Sequence, residues 1–107
     1  MDDRHPYIVS PLVCIVDDDR SLLRALGRLL RTAGFTVEAF ASAEEFLETK
    51  HRVPPRCLIL DVRLGGMSGF QLHDLLLATG TPPPVVFITA HDDAATRERA
   101  RPAGAIQ

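Results

Sequence analysis

At 107 residues, with 46% hydrophobic and 24% charged residues, the chain has the composition of one compact domain and is too short for two. A net charge of −2, with arginines spread along the chain rather than massed, supplies no basic field and argues against DNA binding by this segment itself. No apolar run approaches the roughly 20 residues that span a bilayer, and the N-terminus Met-Asp-Asp-Arg-His-Pro lacks a basic-then-apolar leader; a cytoplasmic protein without membrane contact is the default expectation.

Residues 1–11 read as a tail and 12–107 as the domain. Leu12 to Val16 is a short apolar run that stops at Asp17-Asp18-Asp19, the pattern of a buried strand ending at a polar edge. Leu22, Leu23, Leu26, Leu29, Leu30 and Ala33 then recur at helical spacing, with Arg24, Arg28 and Arg31 off that face, and Gly34 suits the end of the helix. Phe35 to Phe40 alternates Phe35, Val37 and Ala39 against Thr36, Glu38 and Phe40, an edge-strand pattern. Ser42 and Glu45 have capping-box spacing, each expected to satisfy the other's free amide at the start of a second helix that runs to about Lys50.

Pro54-Pro55 forbids regular structure, and Cys57 to Leu60 makes a third strand that again ends on a carboxylate, Asp61. Gly65, Gly66, Ser68 and Gly69 mark a flexible loop, Phe70 to Ala78 a third helix closed by Gly80, and Thr81 with three prolines a rigid connector. Val85 to Ile88 is a fourth strand ending at Thr89; Asp92 to about Arg101 reads as a solvent-facing fourth helix interrupted by Pro102. Strand and helix alternating four times specify a doubly wound α/β fold, a parallel sheet with helices on both faces. Cys14 and Cys57 fall inside strands, match no metal motif and read as free, buried thiols; His5, His51 and His73 show no partner spacing and read as surface residues.

In such a sheet every strand points the same way, so Asp17, Asp18, Asp61 and Thr89 meet along one carboxyl edge, where ligands bind. Clustered carboxylates repel, and a divalent cation is the natural remedy; oxygen donors without His or Cys suit Mg²⁺ rather than zinc. With the metal in place a carboxylate can attack phosphorus, and Asp61, fixed by a central strand and followed by a glycine-rich loop, is the best placed nucleophile. The Asp17-Asp18-Asp19 run reads equally well as a solvated strand end, and Asp19 as a helix cap rather than a ligand.

Ile15-Val16-Asp17-Asp18-Asp19, Ala33-Gly34-Phe35, Leu60-Asp61-Val62-Arg63-Leu64, Met67-Ser68-Gly69, Val86-Phe87-Ile88-Thr89-Ala90 and Ala103-Gly104-Ala105, in that order, resemble the receiver domains of two-component response regulators. The wording is most similar to the subgroup followed by a helix-turn-helix output domain. The resemblance implies a flavodoxin-like sheet of order 2-1-3-4-5, a sensor histidine kinase as phosphoryl donor, and DNA contact only through an output domain. It further implies Mg²⁺ held by Asp17, Asp18, Asp61 and the Arg63 backbone carbonyl, Asp61 as phosphoacceptor, and Thr89 as the hydroxyl that bonds the phosphoryl group and shifts inward. Such a domain catalyses its own phosphorylation and dephosphorylation and is not an enzyme in the usual sense. Arg63 and His91 occupy the variable positions that set acyl-phosphate lifetime, although His91 serves equally as an exposed loop residue.

Gly65 stands where the family has proline, and Pro102 interrupts the fourth helix. The family's fifth strand, fifth helix and phosphoryl-pairing lysine do not occur before Gln107; Lys50 is the only lysine. The expectation is a truncated or partial chain, or a homodimer or swapped assembly that covers the exposed fourth-strand edge. Two other readings remain: a receiver-like interaction module without phosphorylation, and a haloacid-dehalogenase-type phosphatase fragment in which Asp17 is the nucleophile.

Overall fold

The computed structural model describes residues 10–49 and 54–89. These form β1 (Leu12–Val16), α1 (Arg20–Thr32), β2 (Thr36–Phe40), α2 (Ala43–Glu48), β3 (Cys57–Asp61), α3 (Gly69–Thr79) and β4 (Val85–Ile88). The four strands make one parallel sheet in the order β2-β1-β3-β4, the doubly wound arrangement expected from the alternation of elements. The expected fourth helix, Pro102 and the Ala103-Gly104-Ala105 segment lie outside the described residues, as do Lys50, His5, His51 and His91.

Alternate strand residues feed two cores. Cys14, Val16, Phe40, Leu58, Leu60, Val85 and Phe87 turn toward the face covered by α2 and α3, where Phe46 and Leu72 close the larger core. Val13, Ile15 and Val37 turn the other way, against Leu23, Leu26 and Leu30 of α1. β1 is buried throughout because it is central and covered on both faces. β2 pairs only with β1 among the described strands, so it is an edge, but Phe40 is buried rather than on a polar face. Its ring meets Phe46 edge-on at 5.3 Å, because α2 covers this end of the second face as well.

The helix ends follow local chemistry. Asp19 caps α1, its Oδ1 accepting from the Ser21 and Leu22 amides at 3.0 and 3.2 Å. At the other end Gly34 takes φ +101°, which lets the Gly34 amide donate to the Arg31 carbonyl and the Phe35 amide to the Leu30 carbonyl, the two bonds of a Schellman turn. Ser42 caps α2 by accepting from Glu45 N–H at 3.0 Å, but Glu45 Oε1 accepts from Ala41 N–H at 2.7 Å, one residue before the position expected. α2 ends at Glu48, short of Lys50, with Thr49 as its cap. Ser68 and Gln71 form a complete capping box on α3, so Ser68 and Gly69 belong to a helix start rather than a loose loop.

Both cysteines are free, Cys14 buried and Cys57 half-buried on the opposite face. Burial, with Glu38 nearby, pushes the Cys14 thiol up to about 12, which makes it a protonated packing group. His73 departs from the surface position expected of it. It is 4% exposed and edge-on to Phe87 at 5.7 Å, and its Nδ1 has no hydrogen-bond partner among the described residues. It sits one residue after Leu72 on the inner side of α3, a position that periodicity alone does not separate from the helix flank.

Candidate functional site

The carboxyl ends of β1, β3 and β4 open into a cleft of about 370 Å³ lined by Asp17, Asp18, Asp61, Arg63, Ile88 and Thr89, with Asp19 and Leu22 at its α1 side. One oxygen from each of Asp17, Asp18 and Asp61 lies within 4.8 Å of the others. The register explains the convergence: β3 lies between β1 and β4, so the residues that end these strands become neighbours although 44 positions separate Asp17 from Asp61.

Each carboxylate is held differently. Asp17, 2% exposed, has one oxygen fixed by the Asp19 amide at 2.8 Å. Asp18 is exposed at the cleft mouth. Asp61 Oδ1 accepts from the Arg63 amide at 3.2 Å while the Arg63 side chain projects at the rim. The strand end beneath Asp61 is pinned by Val62 N–H donating to the Ile88 carbonyl at 2.9 Å and Gly69 N–H donating to the Val62 carbonyl at 3.1 Å.

Burial comes first among the causes that push both inner carboxyls up, with neighbouring aspartates adding to it. Asp17 is raised, and Asp61 is raised to about 6 even though the Arg63 amide favours its charged form. One oxygen of Asp17 lies within 4.8 Å of one of Asp61, so the charge on each carboxyl affects the proton affinity of the other. Among the described residues the donors are all oxygen, and the set fits a hard divalent cation.

The structure therefore brings together Asp17, Asp18, Asp61, Arg63 and Thr89, and places Asp19 in the α1 cap instead of the cluster. Two participants escape a reading of the sequence. Leu22 lines the cleft although its spacing marks it only as a core residue. Gly69 packs so closely under β3 that a β-carbon would overlap the Asp61 carbonyl oxygen and come within 3.0 Å of its carbon. The Ser68-x-x-Gln71 capping signature, which puts Gly69 at the first helical position, was the available signal.

A parallel α/β sheet with an acidic cleft at its carboxyl edge is the arrangement of a doubly wound domain whose ligand site lies at that edge. The response regulator receiver domain family matches residues 13–107, and the chain belongs to it. It is a receiver domain of two-component response regulators. It is 40% identical over 103 residues to the response regulator protein TodT of Pseudomonas putida, covering 96% of this chain and 45% of that protein. It is 42% identical over 100 residues to the C4-dicarboxylate transport transcriptional regulatory protein DctR of Rhodobacter capsulatus, covering 92% and 51%. Among solved structures, the response regulator StyR superposes with a TM-score of 0.80 at 47% identity, covering 92% of this chain and 50% of that one. The chain thus spans about half the length of these relatives. The chemotaxis protein CheY4 of Vibrio cholerae, 23% identical with a TM-score of 0.79, shares the fold. Among the described residues no helix is long and apolar enough to cross a membrane.

Proposed function

We propose that the chain accepts a phosphoryl group on Asp61 from a phosphohistidine of a sensor histidine kinase, in a Mg²⁺-dependent reaction, and so regulates transcription through an output domain. The observation that carries this is the convergence of Asp17, Asp18 and Asp61 within 4.8 Å in a cleft whose far wall ends in Thr89. Asp17, Asp18, Asp61 and the Arg63 backbone carbonyl would hold the ion. Bound Mg²⁺ would offset the mutual repulsion of the carboxylates and screen the approach of an anionic donor.

The remaining work belongs to the chain's own groups. The Arg63 amide fixes the plane of the Asp61 carboxylate, and the β3 end beneath it is immobilised by the Val62 and Gly69 bonds, so attack requires little reorganisation. Above pH of about 6 the Asp61 carboxylate form, the nucleophile, predominates. Thr89 at the rim would donate to a phosphoryl oxygen and move inward as it does so. Arg63 at the mouth would govern water access to the acyl phosphate. TodT and DctR are named as regulators, and by analogy we place the output in a helix-turn-helix domain and the whole protein in the cytoplasm. The phosphatase alternative leaves Asp61 without a role, and membership of the receiver family removes its support.

Incubation with acetyl phosphate and Mg²⁺ followed by intact-mass analysis tests the proposal. One phosphoryl group is expected on the wild-type chain, and none after chelation of the metal or in Asp61→Asn. An unmodified wild-type chain would establish the receiver-like module without phosphorylation, and a label that persists in Asp61→Asn would move the nucleophile to Asp17.

A further inference from the structure

Away from the acidic cleft lies a second groove of about 280 Å³, lined by Arg20, Leu23, Arg24 and Arg31 of α1 together with Ala39, Ala41 and Glu45. Arg20, Arg24, Gly27 and Arg31 follow one another at intervals of four, three and four, so they share one face of the helix. Gly27 completes this stripe: a β-carbon there would lie 3.1 Å from Arg31 Nη1, so its absence lets the guanidinium lie back along the helix. None of the three arginines has a carboxylate partner among the described residues; Arg24 reaches only the Ser21 hydroxyl, at 3.4 Å. Glu45, the one acid in the lining, already accepts from the Ala41 amide.

The strand below offers the complementary half. Thr36 donates to the Pro11 carbonyl and the Phe40 carbonyl accepts from Asp17, so the backbone groups of residues 36, 38 and 40 face β1. Those of Val37 and Ala39 consequently point outward along the free edge. The edge is closed at both ends, by Phe35 N–H donating to the Leu30 carbonyl and by Ala41 N–H donating to Glu45. Two outward residues with no hydrogen bond thus lie beside three guanidinium groups with no carboxylate partner, in each case among the described residues.

We infer that this groove docks an extended acidic segment of a partner protein, which adds to β2 through the backbone of Val37 and Ala39 while its carboxylates meet Arg20, Arg24 and Arg31. Backbone pairing supplies the register and the arginines supply the selectivity. A second copy of the chain is a poor occupant: twofold pairing of two β2 edges would set two basic stripes side by side on the same face. None of the groove's residues lines the acidic cleft.

The test is a titration of the ¹⁵N-labelled full chain with a decapeptide of alternating glutamate and valine, against an alternating lysine–valine peptide and a DNA duplex. Expected are shifts and slowed hydrogen exchange centred on the Val37 and Ala39 amides, abolished by high salt. Arg24→Ala with Arg31→Ala removes two exposed ion pairs and should weaken binding about tenfold. Ala39→Pro removes an outward N–H on an edge strand, where proline is tolerated, and should block the peptide while the rest of the amide spectrum stays folded. Binding that leaves Val37 and Ala39 unmoved, equal binding of the lysine peptide, duplex binding in place of peptide, or full binding by Ala39→Pro would each overturn the inference.

Discussion

Two glycines near Asp61 make opposite demands. Gly69 is required by space, since a β-carbon there would overlap the carbonyl oxygen of the phosphoacceptor candidate itself. Gly69→Ala must push β3 and α3 apart, and an overpacking cost of about 1–3 kcal/mol is expected, together with slower labelling by acetyl phosphate. Chemical denaturation gives the first quantity, and an unchanged midpoint would show that the contact relaxes without cost. Gly65 lies outside the left-handed region, and a β-carbon there meets only Asp18 Oδ2 at 4.0 Å. Gly65→Ala should therefore stabilise by about 0.4–1 kcal/mol, through the reduced freedom of the unfolded chain. His73 poses a third problem at this scale, a buried imidazole whose Nδ1 is unpaired among the described residues. His73→Leu replaces it with an apolar group of similar size and should raise stability by roughly 1 kcal/mol despite the lost ring contact with Phe87. A lower denaturation midpoint in this variant would mean that the nitrogen is satisfied in solution.

Among the elements, those with strong periodicity or sharp boundaries were legible in the sequence. β1 and β4 were bounded by the aspartate run and the proline run, α1 by its leucine repeat and Gly34, and the observed limits match because burial, capping and propensity agree there. Phe40, Ser68 and His73 were misread for a common reason: each depends on which element packs opposite, and local spacing carries no record of that. Phe40 looks polar-facing until α2 is folded across it; Ser68 looks like a loop residue until Gln71 turns back to its amide. The site was more legible than its supports, because carboxylates at strand ends announce themselves while the glycine beneath them does not. Ser68→Ala should show how much α3 owes to its cap. It removes one half of a complete box, and a loss of about 1 kcal/mol is expected by thermal denaturation.

On the scale of the whole molecule, the sheet that gathers three carboxylates also makes the metal-free protein work against itself. Asp61 is raised from 3.8 to about 6, and Asp17 is raised as well, so the folded chain holds protons that the unfolded chain has released. Between pH of about 4 and 6 the native state binds more protons, and the contribution of Asp61 to stability falls as pH rises through that window. Below it the group is protonated in both states and costs nothing; above it the full penalty applies, on the order of 1 kcal/mol once solvent screening of a half-buried carboxylate is allowed for. The difference between wild type and Asp61→Asn separates this contribution from that of every other acid, and is therefore the informative quantity. Without metal, the asparagine variant should gain on wild type as pH climbs from 4 to 6 and unfold at higher temperature at pH 7. Added Mg²⁺ should then raise the wild-type midpoint by selective binding to the folded state and raise the variant's far less, because one ligand has lost its charge. A difference that stays flat with pH would mean that Asp61 sits in its cleft without electrostatic strain, and an equal Mg²⁺ response in both proteins would remove Asp61 from the ion's ligands.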